Sequence, residues 1–433
     1  MCDFLPGRLL VSHHRNDIAA RAVIGDIRED KIQHVSYIED MEARLAQRDL
    51  QMPEGFDFEF HLLRVPDGEE VWKINYIRFF YQGTLLGLLD SGKLPENMWS
   101  IVGDSGSHML VAPDSTLSLC QSGSSFQFQF DAMHGTYKQL LGLPHPGGST
   151  GRGTITAILD TGFATQTGVT LEHGSRNFHD ETDKFDIDDI NGHGTVVTSI
   201  AHDVAPGSGL LVFKVGDGNP ISEWNVLAAL FAAKDADIIN LSLAFGMPYR
   251  NCHVCGRSQS HSSRSAIFEL VVDQLLRVRP DTIIVAAAGN RQQNALDFPA
   301  RFSQVVAVGA IDSNGNRPSY SNYGATDHLG HAHELLFFAP GGGNGEFVAA
   351  TGAPRRVEHK GTSFAAPYVS GLVALYHGQP HANRDRANVL AHFKAGASQN
   401  LHGYSVADFG KGLGSGLITS NRRWRRGRRR RRS

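Results

Sequence analysis

The feature that most constrains the fold is a series of short apolar runs, rich in Ile and Val, that alternates with helical stretches. The runs begin at residue 154 and read TITAILD, GLLVFKV, ADIINLSL, DTIIVAAAGN and QVVAVGAI. The stretches EWNVLAALFAAKD and SAIFELVVDQLLRV between them read as helices. Strands that are buried on both faces and alternate with helices are typical of a covered parallel sheet. The sequence therefore predicts an α/β fold with a doubly wound parallel sheet and helices on both faces.

Polar residues stand where several of these runs end. Asp160 closes the first run, Ser242 lies near the end of the third, and Asn290 closes the fourth. In open α/β sheets, sites form at the carboxyl ends of the strands. We therefore expect a functional site at that edge of the sheet.

Ser363 lies between Gly-Thr and a long run of small and apolar residues, in the segment KGTSFAAPYVSGLVALY at 360–376. Serine is among the best residues to begin a helix, because its hydroxyl accepts a hydrogen bond from a backbone N–H of the first turn. A cap alone explains neither Gly361 nor Pro367, since proline inside a helix lacks the N–H and its ring clashes with the preceding turn. Ser363 is therefore a candidate for a chemical role as well as for the helix start.

Four polar residues in small-residue surroundings can together support acyl transfer. They are Asp160 in AILDTG, His193 in NGHGT, Asn290 in AAAGN and Ser363 in GTSFAAP. A serine nucleophile requires a base for its hydroxyl proton, a carboxylate that orients the base, and donors for the oxyanion. The chain offers one candidate for each role, although each residue taken singly is explained as well by a turn, a cap or a loop.

The composition limits the classes to which this protein can belong. The chain has 433 residues, of which 41% are hydrophobic and 20% charged, which suits one large globular domain with an accessory region. No stretch approaches the roughly 18 continuous apolar residues of a membrane span, and the first residues do not read as a secretory signal. The four cysteines are too few for a disulfide scaffold. These observations predict a cytoplasmic protein.

The motifs, in their order, resemble the core segments of the subtilisin-like serine proteases, or subtilases. The matching segments are AILDTG, NGHGT, DVAPGSGLLVFKV, IINLSLAFG, IIVAAAGN, FPARFSQVVAVGAI, FFAPGG and GTSFAAPYVSGLVAL. The order Asp, His, Ser is the one known for the triad of this family. The resemblance covers roughly residues 127–420 and implies a peptidase domain at 125–420.

The resemblance implies a role for each polar residue. Ser363 is the nucleophile, His193 is the general base and then the general acid, and Asp160 orients His193. The side chain of Asn290 and the backbone N–H of Ser363 donate to the oxyanion. The N-terminus of the helix that begins there favours developing negative charge. No metal is expected among these groups.

The same resemblance implies where a polypeptide substrate binds. The strand of Ser242, Leu243 and Ala244 is similar to the one along which substrates of the family pair in extended form. The expected walls of the primary specificity pocket are Ala286, Ala287, Ala288 and Gly289. Their small size leaves room for a large side chain of the substrate.

The chain departs from the family pattern beside two of the motifs. Phe364 and Ala366 stand where the family usually has Met and Ser, and residues 196–199 read VVTS where it commonly has HVAG. None of these differences removes a catalytic group. We therefore expect them to change the shape and packing of the pocket rather than the activity.

Residues 1–124 lie outside the resemblance and predict an α+β accessory region. They mix strand-like runs such as RLLVS and FEFHLLRV with one helical candidate, YIEDMEARLAQRDLQ. Two alternatives stand for this region. One is a prodomain, which in secreted relatives assists folding and blocks the active site, and the other is a docking domain for a regulatory protein partner.

Residues 421–433 form an arginine-rich tail. Without its nine arginines the 41 Lys and Arg residues of the chain fall to 32, against 44 acidic residues. Such a run is typical of a disordered electrostatic arm. Its alternatives are binding to an anionic partner such as nucleic acid or an anionic membrane, to the acidic body of the chain, or to a partner protein.

Three weaker signals concern metal ions. Cys252 and Cys255 form a single CxxC, for which the alternatives are a metal clip, a disulfide or redox pair, and free thiols. The histidines of DHLGHAHE favour a solvated loop over a metal site. An acidic run before His193 leaves calcium open, although a solvated loop is expected there too. The run contains Asp180, Glu181, Asp183, Asp186, Asp188 and Asp189.

Taken together, the sequence predicts a serine endopeptidase that hydrolyses peptide bonds through an acyl-enzyme on Ser363. The alternative is a catalytically latent protein of the same fold, which binds or regulates and needs a partner for activation. The presence of all four catalytic groups favours the endopeptidase.

Overall fold

The computed structural model describes most of the chain up to residue 399. The described residues are 4–31, 35–64, 80–81, 84–85, 99–102, 108–119, 128–130, 132–143, 148–164, 169–179, 183–245, 265–324, 326–343, 345–346, 348–351, 358–399 and 405–406. The CxxC pair, the arginine-rich tail and the domain boundary near residue 124 lie outside these ranges. What the sequence predicts for those segments stays a prediction.

The described residues form strands and helices from near the N-terminus to residue 406. The strands are β1 Phe4–His14, β2 Ser36–Asp40, β3 Phe58–Arg64, β4 Phe80–Tyr81, β5 Thr84–Leu85, β6 Trp99–Val102, β7 His108–Leu119, β8 Phe128–Phe130, β9 Ile155–Asp160, β10 Arg176–Asn177, β11 Gly209–Lys214, β12 Ile221–Ser222, β13 Ile238–Leu241, β14 Leu243–Phe245, β15 Ile283–Ala287, β16 Val306–Ile311, β17 Leu336–Pro340, β18 Ala349–Thr351, β19 Glu358–His359, β20 Ser398–Gln399 and β21 Ser405–Val406. The α-helices are α1 Ile18–Arg28, α2 Met41–Ala46, α3 Ala132–Leu140, α4 His193–Val204, α5 Glu223–Ala232, α6 Ala266–Val278, α7 Thr362–His377 and α8 Arg386–Gly396. Within the described ranges, none of these helices has the length and apolar character that crossing a membrane requires.

The central sheet has the parallel arrangement that the alternating runs predict. Its strand order is β10-β11-β9-β13-β15-β16-β17-β21-β20, and the pairs are parallel except for the short β20–β21 pair. Strands β9, β13 and β15 are neighbours, since Leu241 pairs with Leu159 on one side and with Ala286 on the other. The residues that follow these three strands therefore meet at one edge of the sheet.

Alternate residues of the central strands face two different layers of helices. Leu159 lies in the core with residues of α5 and α6, whereas Ile158 lies in the core with residues of α4, α7 and α8. Both side chains are completely buried, which explains why these strands read as nearly continuous apolar runs. The predicted doubly wound α/β fold is confirmed.

The N-terminal region folds around a second sheet, which is antiparallel in the order β2-β3-β1-β7, with β6 also paired to β7. One face of this sheet packs with helix α1 in a small core that includes Leu9, Val11 and Ile24. The other face packs on α5 and α6 of the central fold, where the ring centroids of Phe60 and Phe231 are 5.4 Å apart. One apolar face of the N-terminal sheet is therefore buried within the region itself, and the other is buried against the central fold.

One predicted helix begins later than its sequence pattern indicates. Within YIEDMEARLAQRDLQ, residues 37–40 belong to strand β2, and helix α2 begins only at Met41. Asp40 sets this boundary, because its carboxylate accepts a hydrogen bond from the N–H of Ala43 at 2.6 Å and so caps the helix. Tyr37 pairs with Leu63 of β3 in the sheet.

Strand β7 belongs to both parts of the molecule. Its first half pairs with β1, and its last residues pair antiparallel with β12 and β14, which flank the central fold's residues 223–241 in the chain. Leu119 lies opposite Leu243, and Ser118 lies opposite Ala244. The backbone N–H of Leu119 also donates to Asn219 Oδ1 at 2.6 Å. The N-terminal region thus reaches the strand on which the sequence predicts substrate binding.

Candidate active site

Asp160 and His193 form a buried hydrogen-bonded pair. Asp160 ends strand β9, and His193 begins helix α4. His193 Nδ1 lies 2.7 Å from Asp160 Oδ1, and neither side chain is exposed to solvent. Because a carboxylate only accepts, this contact assigns the imidazole proton to Nδ1 and leaves Nε2 as an acceptor. Nε2 is buried and has no hydrogen-bond partner among the described residues.

The turn before His193 is fixed by Asp189. Asp189 Oδ1 accepts from the N–H of Gly192 at 2.8 Å and from the hydroxyl of Thr161 at 2.8 Å. Its Oδ2 accepts from the N–H and the hydroxyl of Thr195 at 2.8 and 2.6 Å. A buried carboxylate with this many donors holds a loop rigidly. Asp189 is therefore a positioning residue for the start of the His193 helix.

Position 194 requires glycine because the backbone of Gly162 lies very close to it. A Cβ atom at this position would clash with the carbonyl oxygen of Gly162 and would lie 3.1 Å from Asp160 Oδ1. Its N–H donates to the hydroxyl of Thr161 at 2.9 Å. The glycine after His193 thus lets the helix start lie directly against the Asp160 strand end.

Ser363 is the second residue of helix α7 and is fully buried. Gly361, before the helix, has φ of +153°, a conformation that favours glycine. The Ser363 hydroxyl donates to the carbonyl oxygen of Ser242 at 2.9 Å, and the Ser242 hydroxyl donates back to the carbonyl oxygen of Ser363 at 2.7 Å. The structure thus brings Ser363 to the end of strand β13, with its hydroxyl bonded to that strand end.

The proline inside helix α7 makes this exchange possible. In a regular helix the carbonyl of Ser363 would accept from the N–H of residue 367, but Pro367 has no N–H. The freed carbonyl accepts from Ser242 instead. Asn240 Nδ2 in turn donates to the Ser242 hydroxyl at 3.0 Å, and Ser370 donates to Asn240 Oδ1 at 2.9 Å. A buried chain of hydrogen bonds therefore joins helix α7 to the end of strand β13 at Ser363.

Asn290 lies beside the same helix start. Its Oδ1 accepts from the N–H of Thr362 at 2.9 Å and from the Thr362 hydroxyl at 3.0 Å. That hydroxyl also accepts from the N–H of Gly289 at 3.1 Å. Because the amide oxygen is turned toward Thr362, the amide nitrogen points to the other side. The first-turn N–H groups of the helix have no acceptor within the helix, so donors from two elements lie close to Ser363.

The predicted pocket residues lie on the neighbouring strand. Ala286, Ala287 and Ala288 are fully buried, and Gly289 has φ of +104°. Behind Gly289 lies Asp297, and a Cβ atom on the glycine would clash with the Asp297 carboxylate. Asp297 pairs closely with Arg291. Burial raises the pKa of Asp297 to about 6 in spite of this guanidinium, so the back of the predicted pocket carries an ion pair.

Phe364, one of the departures from the family pattern, packs on the catalytic histidine candidate. Its ring centroid lies 5.1 Å from that of His193 and 5.6 Å from that of His359. Burial, followed by the charge of His193, lowers the pKa of His359 to about 4. Phe364 therefore contacts both His193 and a second buried histidine, which is neutral at neutral pH.

The weaker metal signals gain no support from the described side chains. Asp183, Asp186 and Asp188 of the acidic run are exposed. In the DHLGHAHE segment, His328 pairs with Glu269 at 2.8 Å, and His333 contacts the carbonyl oxygen of Ala300 at 2.9 Å. His333 is buried, so this segment is not the fully solvated loop that its composition predicts. Calcium in the acidic run stays a prediction.

Sequence reasoning missed several positioning residues. They are Asp189, Asn240, Asp297 and Ser370. Asn240 and Ser370 gave a signal that can be used, since each is a polar residue inside an otherwise apolar strand or helix. A buried polar side chain requires a partner, and here the partners are one another and Ser242.

Comparisons with known proteins show which family and which relatives this chain is similar to. A model described as the subtilase family matches residues 151–410. Alkaline elastase YaB from Bacillus sp. (strain YaB) is 31% identical over 267 residues, which are 61% of this chain and 64% of that protein. The chain thus spans slightly less than two thirds of that relative. Subtilisin Savinase from Lederbergia lenta is 30% identical over 270 residues, which are 61% of this chain and 92% of that protein.

A solved structure is similar over nearly the whole chain. It is the epidermin leader peptide processing serine protease from Staphylococcus aureus, with a TM-score of 0.59 and 19% identity. The match covers 94% of this chain and 98% of that one. At this identity the likeness concerns the fold, and at this coverage it includes the N-terminal region.

Proposed function

The chain belongs to the subtilase family, and from this premise we propose that it is a serine endopeptidase whose triad is Asp160, His193 and Ser363. The observation that carries the proposal is the buried pair of Asp160 and His193. Its Nε2 has no hydrogen-bond partner among the described residues, and the His193 ring contacts Phe364, the residue that follows Ser363 in helix α7. The contact with Asp160 places the ring proton on Nδ1, so Nε2 keeps the lone pair that a general base needs to accept the proton of a nucleophile.

The reaction follows from these groups. The Ser363 hydroxyl leaves the carbonyl of Ser242 and turns to His193 Nε2, which takes its proton as Oγ bonds to the peptide carbonyl carbon. The tetrahedral intermediate then loses the amine, which receives that proton from His193, and an ester on Ser363 remains. Water attacks the ester with His193 as the base, and Ser363 regains its proton when the acid product leaves. Asp160 keeps its hydrogen bond with His193 Nδ1 and stabilises the charged imidazole.

Asn290 and the helix start supply the donors for the oxyanion. Thr362 holds the amide oxygen of Asn290, which orients the amide nitrogen. The backbone N–H of Ser363 lies at the positive end of helix α7. Donors that are fixed before the reaction stabilise the developing negative charge without a cost of reorganisation.

A polypeptide substrate would pair in extended form with strand β14. In the structure residues 117–119 of the chain's own strand β7 lie along this strand in antiparallel register. We therefore favour the prodomain alternative, in which the N-terminal region occupies the substrate strand and restrains the enzyme. The docking alternative predicts instead that the cleft stays open when the region is attached.

The test is reaction with a fluorophosphonate probe, followed by intact mass. We expect the wild-type chain to be labelled and Ser363→Ala not to be labelled, with Ser36→Ala, an exposed serine, labelled as wild type. A mass loss that removes the N-terminal region in wild type, but not in Ser363→Ala, would support self-cleavage. Labelling of the intact wild-type chain without any mass loss would favour the docking domain. A folded wild-type chain without labelling would favour the latent protein.

A further inference from the structure

Two histidines and a glutamate meet in the N-terminal sheet, outside the candidate active site. His13 Nε2 lies 3.0 Å from His61 Nε2. Glu59 Oε2 lies 3.7 Å from the first nitrogen and 3.8 Å from the second. Both imidazoles are buried, and 24% of the Glu59 side chain is exposed. Among the described residues, this group of side chains has its possible ligand atoms within 4.8 Å of one another, which is close enough to hold one metal ion.

The register of two strands brings the three side chains together. His13 of β1 lies directly opposite Glu59 of β3, and His61 lies two residues further along β3. Residues two apart on a strand share a face, so all three side chains lie on the same side of the sheet. That side is the one covered by helix α1. The separation of 48 residues between the two histidines hides the cluster in the sequence.

The distances fit a small cation. For a triangle with these three sides, the point equidistant from the corners lies about 2 Å from each atom. Zn²⁺ bonds to histidine nitrogen at about 2.0–2.1 Å and to carboxylate oxygen at about 2.0–2.2 Å. Imidazole and carboxylate together suit zinc and its neighbours among the transition metals.

A neighbouring carbonyl fixes His13 in the tautomer that a metal ligand requires. Its Nδ1 lies 3.0 Å from the carbonyl oxygen of His14. Because the carbonyl only accepts, Nδ1 carries the proton and Nε2 presents its lone pair to the cluster. Ligating histidines in metal sites are oriented by contacts of this kind. The partly exposed side at Glu59 gives an ion and one water molecule a way in.

We propose that His13, His61 and Glu59 bind a divalent transition-metal ion, with Zn²⁺ the foremost candidate. The ion would join β1 to β3 on the face that packs with helix α1. This face holds the small core of the N-terminal region, while the other face is buried on α5 and α6. Small regions with little core of their own gain most from such a staple. The metal would therefore hold the N-terminal fold together when its contact with the peptidase region is lost.

The test is titration of the full-length chain with Zn²⁺ in competition with a chromophoric chelator. The background is Ser363→Ala with Cys252→Ser and Cys255→Ser, which prevents self-cleavage and removes two thiolate ligands. Loss of a group that only orients a ligand weakens metal affinity by about 10–100-fold. We expect His61→Gln, which removes a ligand, to weaken Zn²⁺ binding by at least about 100-fold. Glu59→Gln tests the same site at a partly exposed position, where the fold is not at risk.

The matched control is His14→Gln, which changes the exposed histidine next to His13 on the same strand. We expect this variant to bind Zn²⁺ like its background. Equal Zn²⁺ affinity in the background, His61→Gln and Glu59→Gln would overturn the proposal and leave a neutral hydrogen-bonded histidine pair. An equal loss in His14→Gln would overturn it as well, because binding would then not depend on the cluster.

Discussion

The central parallel sheet and the N-terminal antiparallel sheet both contribute strands to the candidate active site. They contribute different parts of those strands. The central sheet presents strand ends, from which Asp160, Ser242 and Asn290 project as side chains. The N-terminal sheet presents the side of strand β7, which pairs through its backbone with β14. In the proposed mechanism the side chains at the strand ends supply the chemistry, whereas the paired backbone of β7 occupies the strand where a substrate would pair. Changes at the first should therefore lower the activity, and changes at the second should raise it.

The largest effect is expected from Ser363→Ala. Removal of the nucleophile of a subtilisin lowers turnover by about 10⁶-fold, and we expect a loss of that order. The measurement is hydrolysis of an unstructured fluorogenic peptide by chains that show the same circular dichroism. Activity of Ser363→Ala within tenfold of wild type would contradict the proposed role of Ser363 as the nucleophile. The contrast between strand ends and strand β7 would then fail, because the strand ends would not supply the chemistry.

Asn290→Ala should have the next largest effect. Loss of one oxyanion donor costs about 10²–10³-fold in kcat, and KM should change little because the donor acts in the transition state. Asn314→Ala, which changes an exposed asparagine, serves as the control. A change confined to KM would contradict the role of Asn290.

Leu119→Asp should act in the opposite direction. Leu119 is buried and lies opposite Leu243, and an unpaired buried carboxylate costs several kcal/mol. Strand β7 should leave β14, and initial hydrolysis by the intact chain should rise by about tenfold or more, since each 1.4 kcal/mol is tenfold. Leu329→Asp, at an exposed leucine, is the control. Slower hydrolysis by Leu119→Asp would favour a docking or folding role for the N-terminal region.

The smallest effect concerns pH at the junction of the two sheets. Glu223 is fully buried, and burial, aided by the charge of Asp114 on β7, raises its pKa from 4.5 to about 8. The folded state thus holds a proton that the unfolded state has lost, so the free energy of unfolding should fall as pH rises from about 4.5 to 8. Glu223→Gln should remove up to about 1.4 kcal/mol of this decline per pH unit.

Urea unfolding between pH 5 and 9 measures this decline. Glu54→Gln, at an exposed position, should keep the wild-type dependence on pH. Identical pH profiles for wild type and Glu223→Gln would show that the buried carboxylate does not couple the junction to pH.

The central fold and the triad candidates could be predicted because their signals are local. Strands β9, β13 and β15 are nearly continuous apolar runs, and each polar candidate stands at the end of a run or between small residues. The contacts that position these groups could not be predicted. The exchange between Ser242 and Ser363 joins residues 121 positions apart, and it depends on a carbonyl that Pro367 leaves free.

The N-terminal region could be predicted only as strands and helices. Its function depends on register, which short runs do not specify. Strand β7 reads HMLVAPDSTLSL, and this pattern does not show that the first half pairs with β1 and the last residues with β14. The histidine cluster is hidden for the same reason, since His13 and His61 meet only when β1 and β3 pair in one register.

The pairing of β7 with both β1 and β14 has a consequence for how the proposed restraint depends on protein concentration. While the chain is intact, the segment on β14 is tethered, and tethered partners act at effective concentrations on the order of millimolar. Restraint of the proposed peptidase would then be the same at any protein concentration. After one cut beyond Leu119 the same segment becomes a separate molecule, and its hold weakens as the mixture is diluted. A single hydrolysis would thereby make the restraint, which was independent of concentration, depend on the concentration of the released segment.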